Sequence, residues 1–453
     1  MSTTRFSRAI SSAGSQRKLT ISAWVKRVDL GQSTGIYCSS NSSDAANLRG
    51  LFFASNDSIQ VGFYNGGYDM RVETDAVFRD IGAWYHVVIS INSEETTTED
   101  RVKIWVNNVQ QTSMQVSDYP STNEDFDFFG TTISQYIGSL RAGGVYSASN
   151  ISHLYVTDGY NYTPSTFGET DATTGQWKII ADPTIANYGT NGFFLFKNNA
   201  SATDQSGNGN NFTVSSGTAT QTEDNPSNNF NTWNLLDDFY EGGSFTNGNT
   251  TYQTNSSNYS RNSSTLGMTS GKYYWEIKPS AVNTAGDFYP IIGVSSSQIS
   301  GTGDFLGKRV ADYGFQTNPA GDYFKWNNNS SSSWGEAYVL NDVISVALDL
   351  DNNKIYFGKN GTWLESGDPT SGSTGTGAAY TVTAAASTPL GVYFPSVCNY
   401  DGTGNVTFQA NFGNGYFGTS AVSSAGTNAS NNGVFEYDVP TGYTALSTKG
   451  LNT

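Results

Sequence analysis

The sequence predicts an all-β protein built as two antiparallel β-sandwiches. Three observations carry this. The chain has 453 residues, enough for two sizeable cores. Aromatic residues make up 14% and charged residues only 14%, with 49 glycines, a mix that favours strands and turns over helices. Segments of period-two alternation recur through both halves, punctuated by Asn, Asp and Gly. Between the halves lies Asp204–Asp237, rich in Asn, Ser, Thr and Gly. Its apolar residues (Phe212, Val214, Phe230, Trp233, Leu235 and Leu236) are too few for a core, so it reads as a junction. The expected division is an arm over 1–18, a sandwich over 19–203, a junction over 204–244, and a second sandwich with a tail over 245–453.

Charge and cysteine usage narrow the function. The formal net charge is −16, so a partner tracked through its phosphates, and hence nucleic acid, is not expected. Acidity serves solubility, and loop aspartates also offer hard oxygen ligands for Ca²⁺. Asp29, Asp44 and Asp158 are the candidate ligands, although no spacing singles them out. Cys38 and Cys398 lie one in each half and make neither a metal-ligand spacing nor a disulfide framework. Cys398 sits in an apolar run and reads as a buried free thiol. No apolar run reaches membrane-spanning length, and Met1–Arg17 lacks the apolar stretch of a signal peptide. A soluble chain made in a cytosol, without membrane insertion, is the expectation.

The first half opens with Arg5, Arg8, Arg17 and Lys18, uninterrupted by an acid; a frayed terminus is expected, and an arm docked on an acidic neighbour is the alternative. LTISAWVKRV then alternates, with Leu19, Ile21, Ala23 and Val25 on one face and Thr20, Ser22, Trp24 and Lys26 on the other. GLFFASNDSIQVGFYNGG reads as two strands turning at Asn56-Asp57. WYHVVISIN is a third strand, and RVKIWVNNVQQ turns at Asn107-Asn108. SQYIGSL and ISHLYVTDG complete the series. The order of TISAWVK, WYHVVISIN, RVKIWVNN, YIGS and ISHLYVTDG resembles a laminin-G-like, concanavalin-like sandwich over Leu19–Gly159. Asn108 stands where that family commonly has Gly, a position a left-handed turn tolerates. His86 and His153 are the only histidines. A lone His in a strand is far more often packed and hydrogen-bonded than catalytic.

From Asp158 the chain carries T-P-x-x-F-G-E, T-G-x-W-K, Y-G-T-N-G-F-x-L, D-x-S-G-N-G-N-N-F-T and D-x-P-x-N-N in one order. This block resembles virion proteins of tailed bacteriophages. Phe193–Phe196 reads as a last strand of the first sandwich.

In the second half, GKYYWEIKPS sets Tyr273, Trp275 and Ile277 opposite Tyr274, Glu276 and Lys278. NDVISVALDLDNNKIYFGKNGTW reads as a hairpin, Val343–Leu350 returning as Lys354–Lys359 across Asp351-Asn352-Asn353. These segments, with I-G-V, Y-G-F and the closing P-S-V-x-x-x-G-T-G-N-V-T-F-Q-A-N-F-G, resemble a SPRY domain over Gly271–Gly413. The resemblance implies a second bent sandwich that binds through loops at one edge, without catalysis. VPTGYTALSTKGLNT resembles the ending of phage proteins of this type.

Some concanavalin-like sandwiches hydrolyse glycans with paired carboxylates. No Glu-x-Asp-x-Glu run places them here: Glu276 is alone on its strand, and Asp349 and Asp351 sit at a turn. No nucleophile-elbow, phosphate-loop or dinucleotide motif occurs either. The chain is therefore expected not to be an enzyme. Binding candidates are aromatics among short polar side chains: Tyr323, Trp326, Trp334, Tyr400 and Asp401 in the second half, and Tyr64, Tyr68 and Asp69 in the first. The expected role is a structural protein of a tailed-phage virion, a fibre or appendage that binds carbohydrate or a host receptor. A capsid decoration protein that contacts only coat neighbours is the alternative, and a glycan depolymerase a distant one. Expected partners are other virion proteins, a host-surface glycan and further copies of the chain. A homotrimer is the habit of phage fibres, but no heptads occur to drive one.

Overall fold

Strand Lys18–Arg27 shows how the sequence builds the first unit. Leu19, Ile21, Ala23 and Val25 point inward and are fully or almost fully buried. The strand pairs with Trp84–Asn92 in the register Ile21↔Ile89 and Ala23↔Val87, which aligns both apolar faces. These strands belong to a six-stranded antiparallel sheet in the order Phe193–Leu195, Ser149–Asp158, Lys18–Arg27, Trp84–Asn92, Val102–Val106, Val109–Gln111. An eight-stranded sheet faces it, in the order Met114–Asp118, Tyr68–Val77, Ser58–Tyr64, Leu48–Phe53, Thr34–Ser40, Ser134–Ile137, Arg5–Ala9, Thr213–Ser216. Ile36, Tyr37, Leu51, Phe53, Val61, Met70 and Val72 supply its half of the core. The turn residues Asp57, Asn107 and Asn108 adopt left-handed backbone, as their sequence positions predict.

This computed structural model describes residues 4–41, 48–141, 149–197, 202–237, 242–255, 259–299, 301, 303–400 and 404–452, with 144–146 as backbone. The chain divides into two units, Met1–Gln221 and Thr222–Thr453.

The second unit is again two sheets. The larger runs Gly243–Thr246, Thr251–Thr254, Val406–Asn411, Lys272–Val282, Ile344–Asp349, Lys354–Lys359, Thr362–Trp363. The smaller runs Arg261–Ser263, Phe394–Asn399, Pro290–Ser295, Asp312–Thr317, Tyr323–Asn327, Ser330–Ser333. Trp275, Ile277, Val346, Leu348, Phe357, Phe408 and Ala410 meet Ile292, Val294, Phe315 and Val397 in the core between them. The hairpin forms in the expected register, Val346↔Phe357 and Leu348↔Ile355. Among the described residues the only α-helix is Thr448–Leu451, and no helix is long and apolar enough to cross a membrane.

Three expectations need correction. The described part of the expected arm, residues 4–18, is not frayed: Arg5–Ala9 is an interior strand, paired with Ser134–Ile137 and Thr213–Ser216. Phe6 is buried, and Arg8 donates to the Asn191 carbonyl and side chain at 3.1 and 3.0 Å. The described residues of the expected junction, 204–237 and 242–244, are not loose. Phe212 packs in the first core, while Phe230 and Trp233 are buried in the second unit. Asn and Asp side chains here bond backbone groups. Asp204 accepts the N–H groups of Phe194, Ser206 and Asn210, while Asn208 and Asn210 both donate to the Gly192 carbonyl. The boundary therefore falls at 221/222, with the flanking segments packed into the two units.

The outer face of the first six-stranded sheet is covered as well. Phe167, Tyr162, Tyr188 and Ile185 pack on Val88, Tyr155 and Phe194. Thr20, Ser22 and Lys26, which alternation assigns to solvent, are buried. On the second unit the segment from Phe435 to Ala445 plays the same part. Phe435, Val439, Tyr443 and Ala445 pack with Tyr274, Ala347 and Tyr356 on the outer face of the larger sheet. Thr444 and Ala445 pair in parallel with Tyr273 and Tyr274.

Candidate binding faces

Strand Tyr323–Asn327 decides the fate of the second-unit candidates. Successive side chains of a strand point to opposite faces. Trp326 faces outward from the smaller sheet, above Gly314, its cross-strand partner. Its indole N–H donates to Gln316 Oε1 at 2.8 Å. Its ring lies 5.2 Å from Tyr400 and 5.2 Å from Phe305, edge-on to the latter. Tyr400 in turn lies 4.7 Å from Phe305 and 5.0 Å from Tyr259. Phe305 and Leu306 are buried beneath, with Ile291 and Cys398, whereas Tyr259, Trp326 and Tyr400 stay partly exposed. A side chain at Gly307 would run into the Trp326 Cβ and backbone, so the loop can approach that strand so closely only with glycine there. Burial and the neighbouring Tyr259 raise the Tyr400 hydroxyl above its ordinary range, which keeps it neutral and able to donate. The result is a rigid platform of three partly exposed rings.

The other second-unit candidates do not join it. Trp334 lies on the opposite side of the smaller sheet, 5.6 Å from Phe315 and 6.0 Å from Phe357, packed against the core. Tyr323 precedes Trp326 by three residues, an odd spacing, and shares the face of Lys325 instead; it is 36% exposed. Asp401 lies outside the described residues. The expected single site is thus split, because a strand cannot present residues of both parities on one face. Phe305, Tyr259 and Gln316 were missed. Phe305-Leu306-Gly307, an apolar pair before glycine in a polar loop, was the available signal.

In the first unit, Tyr64 and Tyr68 do meet, 5.1 Å apart and edge-on, on the strands Ser58–Tyr64 and Tyr68–Val77. The Arg71 guanidinium lies 5.1 Å over the Tyr68 ring, and Gln60 donates to its hydroxyl at 3.2 Å. Asp69 is exposed beside them. Glu73 is buried and accepts from Ser58, Asn56, Gln115 and Arg71, so this carboxylate is committed to structure.

The metal candidates are corrected in the same way. Asp158 is buried, and its oxygens accept from the Ser15 N–H at 2.6 Å and from the Asn191 N–H and side-chain amide at 2.9 and 3.1 Å. It ties two loops together, its oxygens committed to these donors. Asp29 stands apart, its carboxyl raised by burial, and Asp44 lies outside the described residues. Among the described residues no group of three or more His, Cys, Asp or Glu could hold a metal ion.

Neither histidine is presented to a substrate. His86 is fully buried, stacked on Trp24 at 4.7 Å and on Trp177 at 5.9 Å. The Trp177 indole donates to Nδ1 at 3.0 Å, which leaves the proton on Nε2, 2.9 Å from Ser22 Oγ. Burial lowers its pKa to about 3. His153 sits on left-handed backbone at the strand irregularity after Ser152, and burial lowers it to about 4. Glu276 is fully buried, enclosed by four donors: the N–H groups of Glu436 and Tyr437 at 3.0 and 2.8 Å, the Tyr274 hydroxyl at 2.9 Å and the Asn411 amide at 3.0 Å.

Comparison with known proteins agrees with this architecture. Residues 272–415 match the SPRY domain family. The second unit carries a SPRY domain. Residues 7–156 match the concanavalin A-like lectin/glucanases superfamily, so the first unit carries a concanavalin-like domain. Among solved structures, the SPRY domain of human HERC1 is 17% identical with a TM-score of 0.29, over 39% of this chain and 96% of that one. Stonustoxin is 16% identical with a TM-score of 0.29, over 40% of this chain and 27% of its own. The TRIM65 PSpry domain is 13% identical with a TM-score of 0.28, over 40% of this chain and 88% of that one. No curated protein matches the chain.

Proposed function

We propose that this chain is a non-catalytic, glycan-binding structural protein of a tailed-phage virion, a fibre or appendage that attaches the particle to its host. The observation that carries the binding role is the outer platform of the SPRY domain. Tyr259, Trp326 and Tyr400 hold partly exposed ring faces in fixed positions, and the phenol hydroxyls add hydrogen-bonding groups. Rigid rings stack on the apolar faces of sugars at little entropic expense. The ordered motif block from Asp158 onward supports the virion origin, and the enclosure of Glu276 and His86 supports a role without chemistry.

A single platform of this size binds weakly, and many copies on one particle multiply attachment through effective concentration. Trp326→Ala or Tyr400→Ala is expected to weaken binding per copy about tenfold, the loss of roughly 1.4 kcal/mol of contact. Particles carrying either variant should then attach to host cells far less than wild type, while the purified chain keeps its far-ultraviolet circular dichroism and its urea midpoint. Normal attachment by folded variants would reject the receptor role and favour a decoration protein that touches only its coat neighbours.

A further inference from the structure

The side of the SPRY domain that holds Trp334 carries a second arrangement. Lys325 extends between two aromatic rings, its ammonium 4.9 Å from the Tyr380 centroid and 6.0 Å from that of Trp334. It donates one hydrogen bond, to the Ala379 carbonyl at 2.9 Å. Its other N–H donors have no partner among the described residues. Glu365 is the acid that acts on it electrostatically, but the Glu365 carboxylate accepts the Gly335 N–H at 3.0 Å and makes no ion pair with the lysine. Glu365 and Ser366 hold that position on left-handed backbone, φ 52° and 54°, a conformation costly for side chains of this kind. Burial lowers the Lys325 pKa from its ordinary value. Lys325 is thus a partly desolvated cation with no ion pair at contact distance, in a chain of net charge −16. Tyr323, two residues earlier on the same face, presents an exposed ring beside it.

We infer that Lys325, Trp334 and Tyr323 form a subsite for a carboxylate-bearing pyranose, a sugar acid. The carboxylate completes the coordination of the Lys325 ammonium, in a charge-assisted bond stronger than a neutral one. The pyranose ring lies against Tyr323, whose ring is exposed, as apolar C–H faces do on aromatic rings. The ligand class rests on the carbohydrate reading above, but the site is separate, since Trp326 and Lys325 lie on opposite faces of one strand. Uronic and sialic acids share this chemistry.

The test measures equilibrium binding of the full chain to trigalacturonate and to sialyllactose, each beside its neutral counterpart, methyl-esterified trigalacturonate and lactose. At least one acid should bind about tenfold more tightly than its neutral form, and which of the two does so names the source. Lys325→Met should erase that preference, Lys325→Arg should keep most of it, and Trp326→Ala should leave it intact. Absence of any preference in the wild-type chain overturns the inference, as does a preference that survives in Lys325→Met. Loss of the preference in Trp326→Ala alone would move the sugar acid to the outer platform, overturning this subsite while sparing the glycan reading. Should Lys325→Met fail to fold, Tyr323→Ala decides: its ring is exposed and its removal must weaken the acid.

Discussion

Stability of the SPRY domain is expected to fall as the pH rises from about 4.5 to 7, and Glu276→Gln should abolish that slope. Burial raises the Glu276 carboxyl to about 7 from an ordinary value of 4.5, against the pull of its four donors. Between those values the folded protein holds a proton that the unfolded chain has released, so stability falls with rising pH. A shift of this size corresponds to roughly 3 kcal/mol, fully present below 4.5 and lost by about 7. Glutamine cannot ionise, so the variant should be flat across this window after the general effect of the acidic surface is subtracted. The variant should also loosen the C-terminal segment, because an amide can offer only one oxygen to the two N–H groups of Glu436 and Tyr437. Hydrogen exchange of Lys272–Val282 and of residues 434–439, measured at pH 5 and pH 8, reads both effects. Equal wild-type stability at the two pH values would overturn the assignment.

The largest single loss in the first unit is expected from Asp57. Its carboxylate accepts from Arg27 at 3.0 Å, Arg79 at 2.9 Å and the Gly31 N–H at 2.8 Å. Burial works to raise this carboxyl, but the hydrogen bonds of Arg79, Gly31 and Arg27 outweigh it and hold it below the usual aspartate range. The Arg27 side chain is fully buried, its guanidinium 4.1 Å over the Phe53 ring. Asp57→Ala removes the hydrogen-bonded counter-charge of that buried cation and leaves only the more distant Asp29, which costs ~3–5 kcal/mol. Part of any loss comes from the left-handed backbone at Asp57, so Asp57→Asn, which tolerates that conformation, isolates the charge. Arg79 is largely exposed, and Arg79→Met should cost no more than ~1 kcal/mol. Urea midpoints of the three variants check this ordering. A change below about 1 kcal/mol in Asp57→Ala would mean that the pair contributes little.

The strands were legible because their sequences alternate apolar and polar residues or run apolar between turn residues, as in Lys18–Arg27, Trp84–Asn92 and the Ile344–Lys359 hairpin, even though the fold buries most of their second faces too. Alternation failed where a second layer covers the outer face, as over Thr20, Ser22 and Lys26, since nothing local marks a polar residue as buried. The segment after Asp204 was misread for a related reason. Asn and Asp satisfy backbone groups as well as water does, and composition does not distinguish the two. The split of Tyr323 from Trp326 was available in the spacing alone. The meeting of Trp326 with Phe305 and Tyr400 was not, because residues 305 and 400 reach that face through loops whose path only the fold supplies.

The pairing of each unit's first segment with its last has a kinetic consequence. Arg5–Ala9 lies beside Thr213–Ser216, and Phe230 pairs with Ser447 while the Asn231 N–H donates to the Leu446 carbonyl. These contacts span about as much sequence as a domain of this size can offer, and loop-closure entropy must be overcome before they form. During synthesis, neither unit can close its sheet edges until its final strand has left the ribosome. Until then the Arg5–Ala9 edge and Phe230 lack these partners, in a nascent chain rich in strand-forming segments. Slow, late closure therefore makes the interval between the emergence of the first and last strands the period when this chain is most exposed to aggregation.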